Sequence, residues 1–425
     1  MQAVLDALDQ QLGPRLGGGS VVLALSGGLD SVVLLHALAP WCQARDARLK
    51  AVHVHHGISA NADSWAEHCQ GLCAALGVPL AIEHLALNKG PRQSLEAIAR
   101  DARYRVLADA MAPGDCLVTA HHLDDQAETF LLAARRGAGL DGLCAMPFAR
   151  PFGLGTLIRP LLALSRKTLE AAAKGLAWVE DESNQDTAFD RNFLRQSLLP
   201  AAEVRLGGFS AGLARSAELL QQELPARDWL LTQELARRVG FDGSLDLGGA
   251  PVEAAALLLR AWAARVDEGV ALGHKAVAEM LRQQHAAEDA SVRVGDFGRF
   301  KGRWFYLPPT LGADKAALLT AIAWQPGGGL LQKGHWRFDL PGATRFHPHD
   351  RDQSRTLKKL WQEWGVPPWL RRHWPLLVGE SGELLAVAGM AVAKGHFQPK
   401  GQFPAWDAPG AFQPFLRQPR PAPLA

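Results

Sequence analysis

The chain has 425 residues, of which 48% are hydrophobic and 21% charged, with a formal net charge of +2. This is length for roughly two or three domains with real cores, and the composition is that of an ordinary globular protein. It excludes a grossly polybasic nucleic-acid binder, so an RNA partner needs a local basic surface, and no apolar run is long enough to span a membrane.

Met1 to Leu12 reads as an amphipathic helix carrying Asp6 and Asp9. It lacks the basic start and apolar core of a signal peptide. The five cysteines are Cys42, Cys69, Cys73, Cys116 and Cys144, and none forms a Cys-x-x-Cys pair. Cys69 and Cys73 are one helical turn apart and are expected to line a helix face. The pattern fits a reducing, cytoplasmic setting and argues against a zinc or iron–sulfur site held by paired cysteines.

A glycine-rich linker, Gly17-Gly18-Gly19, leads into the apolar run Val21–Leu25, the turn Ser26-Gly27-Gly28-Leu29-Asp30-Ser31 and a segment of helical period from Val32 to Leu38. Strand, tight turn and helix form the setting in which a loop holds phosphate. Glycines let the backbone approach a ligand closely, and amides at a helix start attract anions. Ser26 and Ser31 are read as further hydroxyl donors. A carboxylate beside bound phosphates is repulsive unless a cation lies between them, so Asp30 points to Mg²⁺. No Gly-Lys-Ser/Thr follows, so this is not a Walker A loop. A simple cap on a helix is the plainer reading, and the full string after an apolar strand outweighs it.

Leu49–His55 is the next apolar run and ends in His53-Val54-His55-His56-Gly57. Helical period over Asn61–Leu76, a strand over Pro79–Leu87 and a helix from about Ser94 to Met111 follow. This last helix carries Glu96, Arg100, Arg103 and Tyr104. Cys116–Ala120 reads as a fourth strand and delivers His121-His122-Leu123-Asp124-Asp125-Gln126 to a helix ending near Arg136. Alternating strands and helices imply a parallel sheet covered on both faces, with ligands beyond the strand C-termini. Three polar clusters fall on that edge. The His121–Gln126 cluster is read as contacting nucleotide, Mg²⁺ or the target base rather than as a structural metal site, although acidic residues also suit a helix start.

Arg135-Arg136 opens a glycine-rich loop that suits phosphate or a helix end. A helix capped at Ser165 follows Pro160–Leu164. Arg191 and Arg195, four apart, share one helix face, with Asn192 and the acidic Asp181–Asn184 stretch nearby. From about Ser210 the chain turns helical: Leu213–Val239, with a break at Pro225, then Ala254–Val266 and His274–Gln284. Ser291–Leu307 reads as a small hairpin, and Gln325–Gly329 as a boundary. Trp336–Ala425 holds 12 Lys/Arg against 7 Asp/Glu. Arg351, Arg355, Lys358, Lys359, Arg371 and Arg372 are interleaved there with Trp361, Trp364, Trp369 and Trp374. The cations suit nucleic-acid phosphates, whereas the tryptophans are read as the core of a small domain. The tail from Pro404 is expected to be loosely ordered.

The Ser26–Ser31 loop resembles the PP-loop of the ATP pyrophosphatase superfamily, which cleaves ATP to AMP and pyrophosphate. The wider set resembles the tRNA(Ile)-lysidine synthase family. It comprises that loop, His53–Gly57, Glu96…Arg100…Arg103-Tyr104, Thr119–Thr129, Arg159–Leu162, Asp181…Ser183-Asn184, Arg191-Asn192-Phe193…Arg195 and Lys358-Lys359-Leu360…Val366-Pro367-Pro368-Trp369…Arg371. The resemblance implies an α/β parallel-sheet PP-loop domain over residues 1–208, a helical tRNA-binding domain over 209–325 and a small α+β tRNA-binding domain over 326–425. It implies ATP-dependent adenylation of the anticodon wobble cytidine of a CAU-anticodon tRNA(Ile), then attack by free L-lysine. The enzyme would be a monomer or homodimer.

On this reading Ser26, Gly27, Gly28, Leu29, Asp30, Ser31 and His53 bind ATP, and Asp30 binds Mg²⁺. Asp30, His121, Asp124 and Asp125 are catalytic candidates. Arg100, Arg103, Arg191, Asn192 and Arg195 bind substrate, while Arg355, Lys358, Lys359, Arg371 and Arg372 bind tRNA. The rival readings are a tRNA thiolase of the same superfamily, which the cysteine pattern disfavours, an amide-forming synthetase, and a nucleotide-gated RNA-binding protein without catalysis.

Overall fold

A computed structural model describes residues 1–57, 59, 61–85, 95–182, 186–267, 269–287, 291–309, 314–331, 334–408 and 411–416. The chain divides into two compact units, Met1–Ala226 and Arg227–Ala425.

The first unit opens with α1 (Gln2–Gln11), β1 (Val21–Ala24), α2 (Leu29–Gln43), β2 (Leu49–His55), α3 (Ala62–Leu76) and β3 (Leu80–His84). It continues with α4 (Leu95–Asp109), β4 (Cys116–Val118), α5 (Leu123–Arg135), α6 (Leu140–Leu143), β5 (Ala149–Phe152) and β6 (Gly155–Ile158). Then come α7 (Arg166–Ala172), α8 (Asp190–Phe193), a π-helical turn over Leu194–Leu198, and α9 (Leu199–Leu206). The sheet order is β3-β2-β1-β4-β6-β5, parallel except for β5, which runs antiparallel to β6.

Period two splits β1 between two cores. Val21 and Leu23 join Leu8, Leu34, Leu38, Trp41 and Ile158 on one face, and Val22 joins Val52, Leu107, Met111 and Leu117 on the other. A strand buried on both faces reads as a continuous apolar run, which is why β1 and β2 stand out in the sequence. The β5–β6 hairpin does not: Arg150 and Pro151 on the edge strand break the apolar pattern, and β5 is half exposed. Ser94, expected as the α4 cap, lies outside the described residues.

The long helix α10 (Phe209–Arg238) runs through Pro225 unbroken. Pro225 is exposed, so the carbonyl it leaves unbonded four residues back can be solvated. In the second unit, α11 (Val252–Val266) and α12 (His274–Gln283) pack with the sheet β7-β10-β9-β8, formed by Leu245–Asp246, Arg303–Tyr306, Phe297–Phe300 and Val292–Val294. The segment Ser291–Leu307 is thus three strands of a four-stranded sheet rather than a lone hairpin.

Gln325–Gly329 lies inside the strand Ile322–Leu330, paired with Gln402–Trp406 across an irregularity between Pro326 and Leu330. The described residues 404–408 and 411–416 are packed into the fold, in contrast to the expected loose tail. Trp406 and Phe412 are buried against Trp374, at ring distances of 5.1 and 5.8 Å, because aromatic burial outweighs the local proline content. Residues 417–425 lie outside the described residues.

Candidate active site

The site is built at the C-terminal ends of β1 and β4. Gly27 has φ +86°, and a Cβ there would sit 3.0 Å from both Cys69 Sγ and Val179 Cγ2. Only glycine fits this turn. Ser31 is buried: its Oγ donates to Gly28 O (2.9 Å), accepts from Gly27 N (3.1 Å) and lies 3.0 Å from Ser26 Oγ. Ser26 Oγ in turn accepts from Gly28 N at 3.3 Å. These hydroxyls brace the loop, with Ser31 buried and Ser26 exposed at its rim. Gly28 caps α2 with no side-chain cap, so the first-turn amides of α2 remain donors for an anion.

His53, expected at the nucleotide, is buried, with Nδ1 2.9 Å from Leu25 O. The carbonyl partner makes Nδ1 the donor, and burial lowers the His53 pKa. His53 therefore fixes the end of β1 as a neutral strut.

Asp30 Oδ2 accepts from Arg166 Nη1 at 2.6 Å and lies 3.8 Å from His122 Nε2. Asp30 Oδ1 is buried with no protein partner. Burial raises the Asp30 pKa above the ordinary carboxylate value, against the pull of His122 and Arg166. One open carboxylate oxygen beside a phosphate loop fits Mg²⁺, which is usually held by one or two carboxylates together with substrate phosphates. Among the described residues no group of three His, Cys, Asp or Glu side chains is arranged to cage a metal.

Thr119–Gln126 supplies the second half of the site. His122 is 2% exposed, with Asp124 Oδ2 at 3.4 Å and Asp125 Oδ2 at 3.5 Å. Burial alone would lower its pKa, but Asp124, Asp125 and Asp30 together hold it above the ordinary histidine value. The three carboxylates thus favour the protonated form of His122. Its neighbour His121 is the reverse: burial drives its pKa down to about 4, Arg159, Arg191 and Arg100 push the same way, and Nδ1 lies 2.9 Å from Thr119 Oγ1. His121 is neutral at physiological pH.

Asp124 Oδ2 accepts from Arg166 N (2.8 Å), tying α5 to α7, whose N-cap Ser165 accepts from Thr168 N. Asp125 accepts from His122 N (3.0 Å) and Arg195 Nη2 (2.9 Å). Burial opposes ionisation of both carboxylates, but these cations and amides leave each pKa below its ordinary value.

Glu128 is 0% exposed and lies between Arg195 Nε (2.7 Å) and Arg191 Nε (3.1 Å). Burial raises its pKa despite both guanidiniums. Arg191 and Arg195 thus share one face and meet the site, as their spacing implied. Asn192 turns inward, its Nδ2 donating to Asp186 O at 2.9 Å.

Arg100 stacks over Tyr104, 5.4 Å from the ring centroid. Arg103 lies in the field of His56, whose pKa burial takes down to about 4. Ser183 and Asn184 lie outside the described residues. The sequence reading took His122 as part of the His121–Gln126 cluster without giving it a role of its own, and did not single out Glu128 and Arg166 as site residues. A signal existed for Glu128, one turn beyond Asp124 on the same helix; none existed for Arg166.

In the second unit Trp361 and Trp374 are core and Trp364 and Trp369 pack against it partly buried, while Lys358, Lys359 and Arg372 are exposed. Arg371 is half-buried, donates from Nε to Val366 O at 2.9 Å and lies over Phe300. Arg355 Nη1 donates to Gln353 Oε1 at 2.7 Å.

A family model described as PP-loop domain matches residues 2–202, and one described as TilS substrate C-terminal domain matches residues 335–406. The chain is 40% identical to the protein named tRNA(Ile)-lysidine synthase from Salmonella heidelberg, over 88% of this chain and 93% of that protein. It is also 40% identical to the protein of the same name from Salmonella typhimurium, over 89% and 94%. Among solved structures it is similar to the U34-tRNA thiolase NcsA from Methanococcus maripaludis, with 18% identity and a TM-score of 0.45 over 52% of this chain and 78% of that one.

Proposed function

We propose the following course of reaction for this chain, which belongs to the tRNA(Ile)-lysidine synthase family. It is an ATP-using enzyme that forms lysidine in tRNA. In the finer reading, ATP adenylates the C2 carbonyl oxygen of the wobble cytidine in a CAU-anticodon tRNA(Ile). This turns a poor leaving group into a good one and releases pyrophosphate. The amine of free L-lysine then attacks C2 and AMP departs.

The observation that carries this reading is the continuous charged seam from Asp30 at the phosphate loop through His122 and Asp125 to Arg195 and Glu128. Such a seam places fixed charge where charge develops during phosphoryl and nucleotidyl transfer. The α2 amides bind the phosphates, and His122, whose protonated form its carboxylate neighbours favour, stands beside them. Asp30, through its open Oδ1, would hold Mg²⁺, which would supply further charge stabilisation for the phosphates. The incoming lysine amine is mostly protonated at neutral pH, with a reference pKa of about 10.4. It must shed a proton before attack. His121, Asp124 and Asp125 stand at this edge of the site as the groups that could take that proton, and burial, which holds the His121 pKa down at about 4, makes His121 a weaker base than an ordinary histidine.

The test is incorporation of labelled lysine into a CAU-anticodon tRNA(Ile) transcript, with and without ATP and Mg²⁺. ATP-dependent label that disappears when the wobble cytidine is replaced supports the reading. Pyrophosphate release without label rejects lysine as acceptor.

A further inference from the structure

Beside this seam lies a groove of about 580 Å³ that the reaction scheme leaves without an occupant. It runs between α4 and the β5–β6 hairpin. One face of α4 supplies Arg100, Tyr104 and Arg105, edge strand β5 supplies Arg150 and Phe152, and Arg159 follows β6. The two rings meet edge to face at 5.7 Å. Arg150 covers both, at 5.2 Å from the Phe152 centroid and 6.0 Å from Tyr104. Stacking of this kind presents a planar guanidinium while leaving its N–H edges available.

Among the described residues, no ion pair to a carboxylate is formed by Arg100, Arg105, Arg150 or Arg159, although Asp101 lies in the same lining. Arg159 is 4% exposed. Its Nη1 donates to Pro147 O at 2.7 Å, and its Nε is buried with no partner. A guanidinium with an unsatisfied buried N–H, in a cavity lined by three more, is built for an anion.

The anion is not the triphosphate bound at the PP-loop. Arg159 follows β6, two strands from β1 in the sheet, which is roughly 10 Å at the usual strand spacing. His121, adjacent in the chain to His122 of the seam, feels the charges of both Arg159 and Arg100 of the groove. The geometry points to this groove as the seat of the RNA ribose-phosphate backbone flanking the target cytidine, with guanidiniums on phosphates and the Tyr104–Phe152 pair as their platform. Single-stranded RNA is held by this combination of arginine and aromatic planes. The inference rests on the lysidine-forming reading above and adds where the RNA strand lies.

The experiment compares wild type with Arg150→Ala, Arg105→Ala and Arg150→Lys, using an anticodon stem-loop RNA and, separately, ATP. The expected result for Arg150→Ala is about a tenfold weaker stem-loop affinity, with a salt slope reduced by about one. KM for ATP should be unchanged, and Arg150→Lys should recover only part of the loss because it keeps charge without stacking. Arg105→Ala, on the exposed side of α4, should give a smaller loss of the same kind and serves if Arg150→Ala fails to fold. Stem-loop affinity equal to wild type in folded variants, or a raised KM for ATP instead, overturns the assignment. Absence of lysine incorporation by the wild type would instead defeat the lysidine reading, so the two failures are distinguishable.

Discussion

The edge of the parallel sheet and the C-terminal aromatic domain have similar ingredients, cations beside aromatic and acidic residues, and use them in opposite ways. At the sheet edge the charges are buried against one another: Glu128 and His122 are almost inaccessible, and Asp30 keeps an unpartnered oxygen. In the C-terminal domain it is the tryptophans that are buried. Trp374 is 0% exposed, donates from Nε1 to Ala388 O at 2.9 Å and packs against Trp361 at 5.4 Å, while Lys358 and Lys359 stay in solvent. Buried, mutually held charge costs stability and is suited to chemistry. Solvated charge costs little and is suited to long-range attraction of a polyanion.

That contrast is open to direct attack. Asp30→Ala should lower turnover by about a thousandfold or more, the scale of losing preorganised electrostatic stabilisation. Its stability should stay within about 1 kcal/mol of wild type, because a carboxylate whose pKa is raised by burial is no net asset to the fold. Pyrophosphate release and a urea titration on the same preparation check both halves. Lost tRNA binding with normal pyrophosphate release would reject the role.

Trp374→Ala should do the converse, costing about 3–5 kcal/mol in a urea titration of the full chain. A loss below about 1 kcal/mol would place the domain core elsewhere. The double change Lys358→Ala with Lys359→Ala should weaken tRNA binding only several-fold, reduce the salt slope by up to about two and leave stability unchanged. An unaltered salt slope would remove these lysines from the RNA surface.

The smallest effect concerns Asp115, a buried carboxylate in the first unit that serves structure alone. It accepts from Ser20 N at 2.8 Å and Ala112 N at 3.0 Å and lies 3.4 Å from Lys50 Nζ. Burial works against ionisation, but these partners leave its pKa below the ordinary value of 3.8. The folded value is therefore the lower one. The stabilisation is present in full above the unfolded pKa and is lost as pH falls through the folded one. Urea midpoints of wild type and Asp115→Asn should differ at pH 6 and converge toward pH 3. A gap that persists in acid would mean Asp115 is not the titrating group.

The phosphate loop was legible in the sequence because its signal is local: an apolar run buried on both faces, two glycines and a helix start, all within Val21–Leu38. So were the boundaries of β2 and α3 and the inward placement of the tryptophans, which follow from periodicity and apolar bulk. The division of labour inside the site was not. Local pattern did not show that Ser31 bonds Gly28 O, that His53 bonds Leu25 O or that Arg371 bonds Val366 O. Arg166 carried no signal at all, yet it grips Asp30 from 136 residues away in the chain.

The sequence by itself determined the α/β class, the phosphate loop and the polar edge on which the site lies, because strand and helix periods and glycine conformations are properties of short segments. Only the tertiary structure decided that the pKa of His122 is pushed up and that of His121 down, that Asp30 keeps one open oxygen, and that four arginines converge on one groove. Ionisation and hydrogen-bond supply depend on burial and on neighbours brought in by distant elements, and no local pattern encodes those.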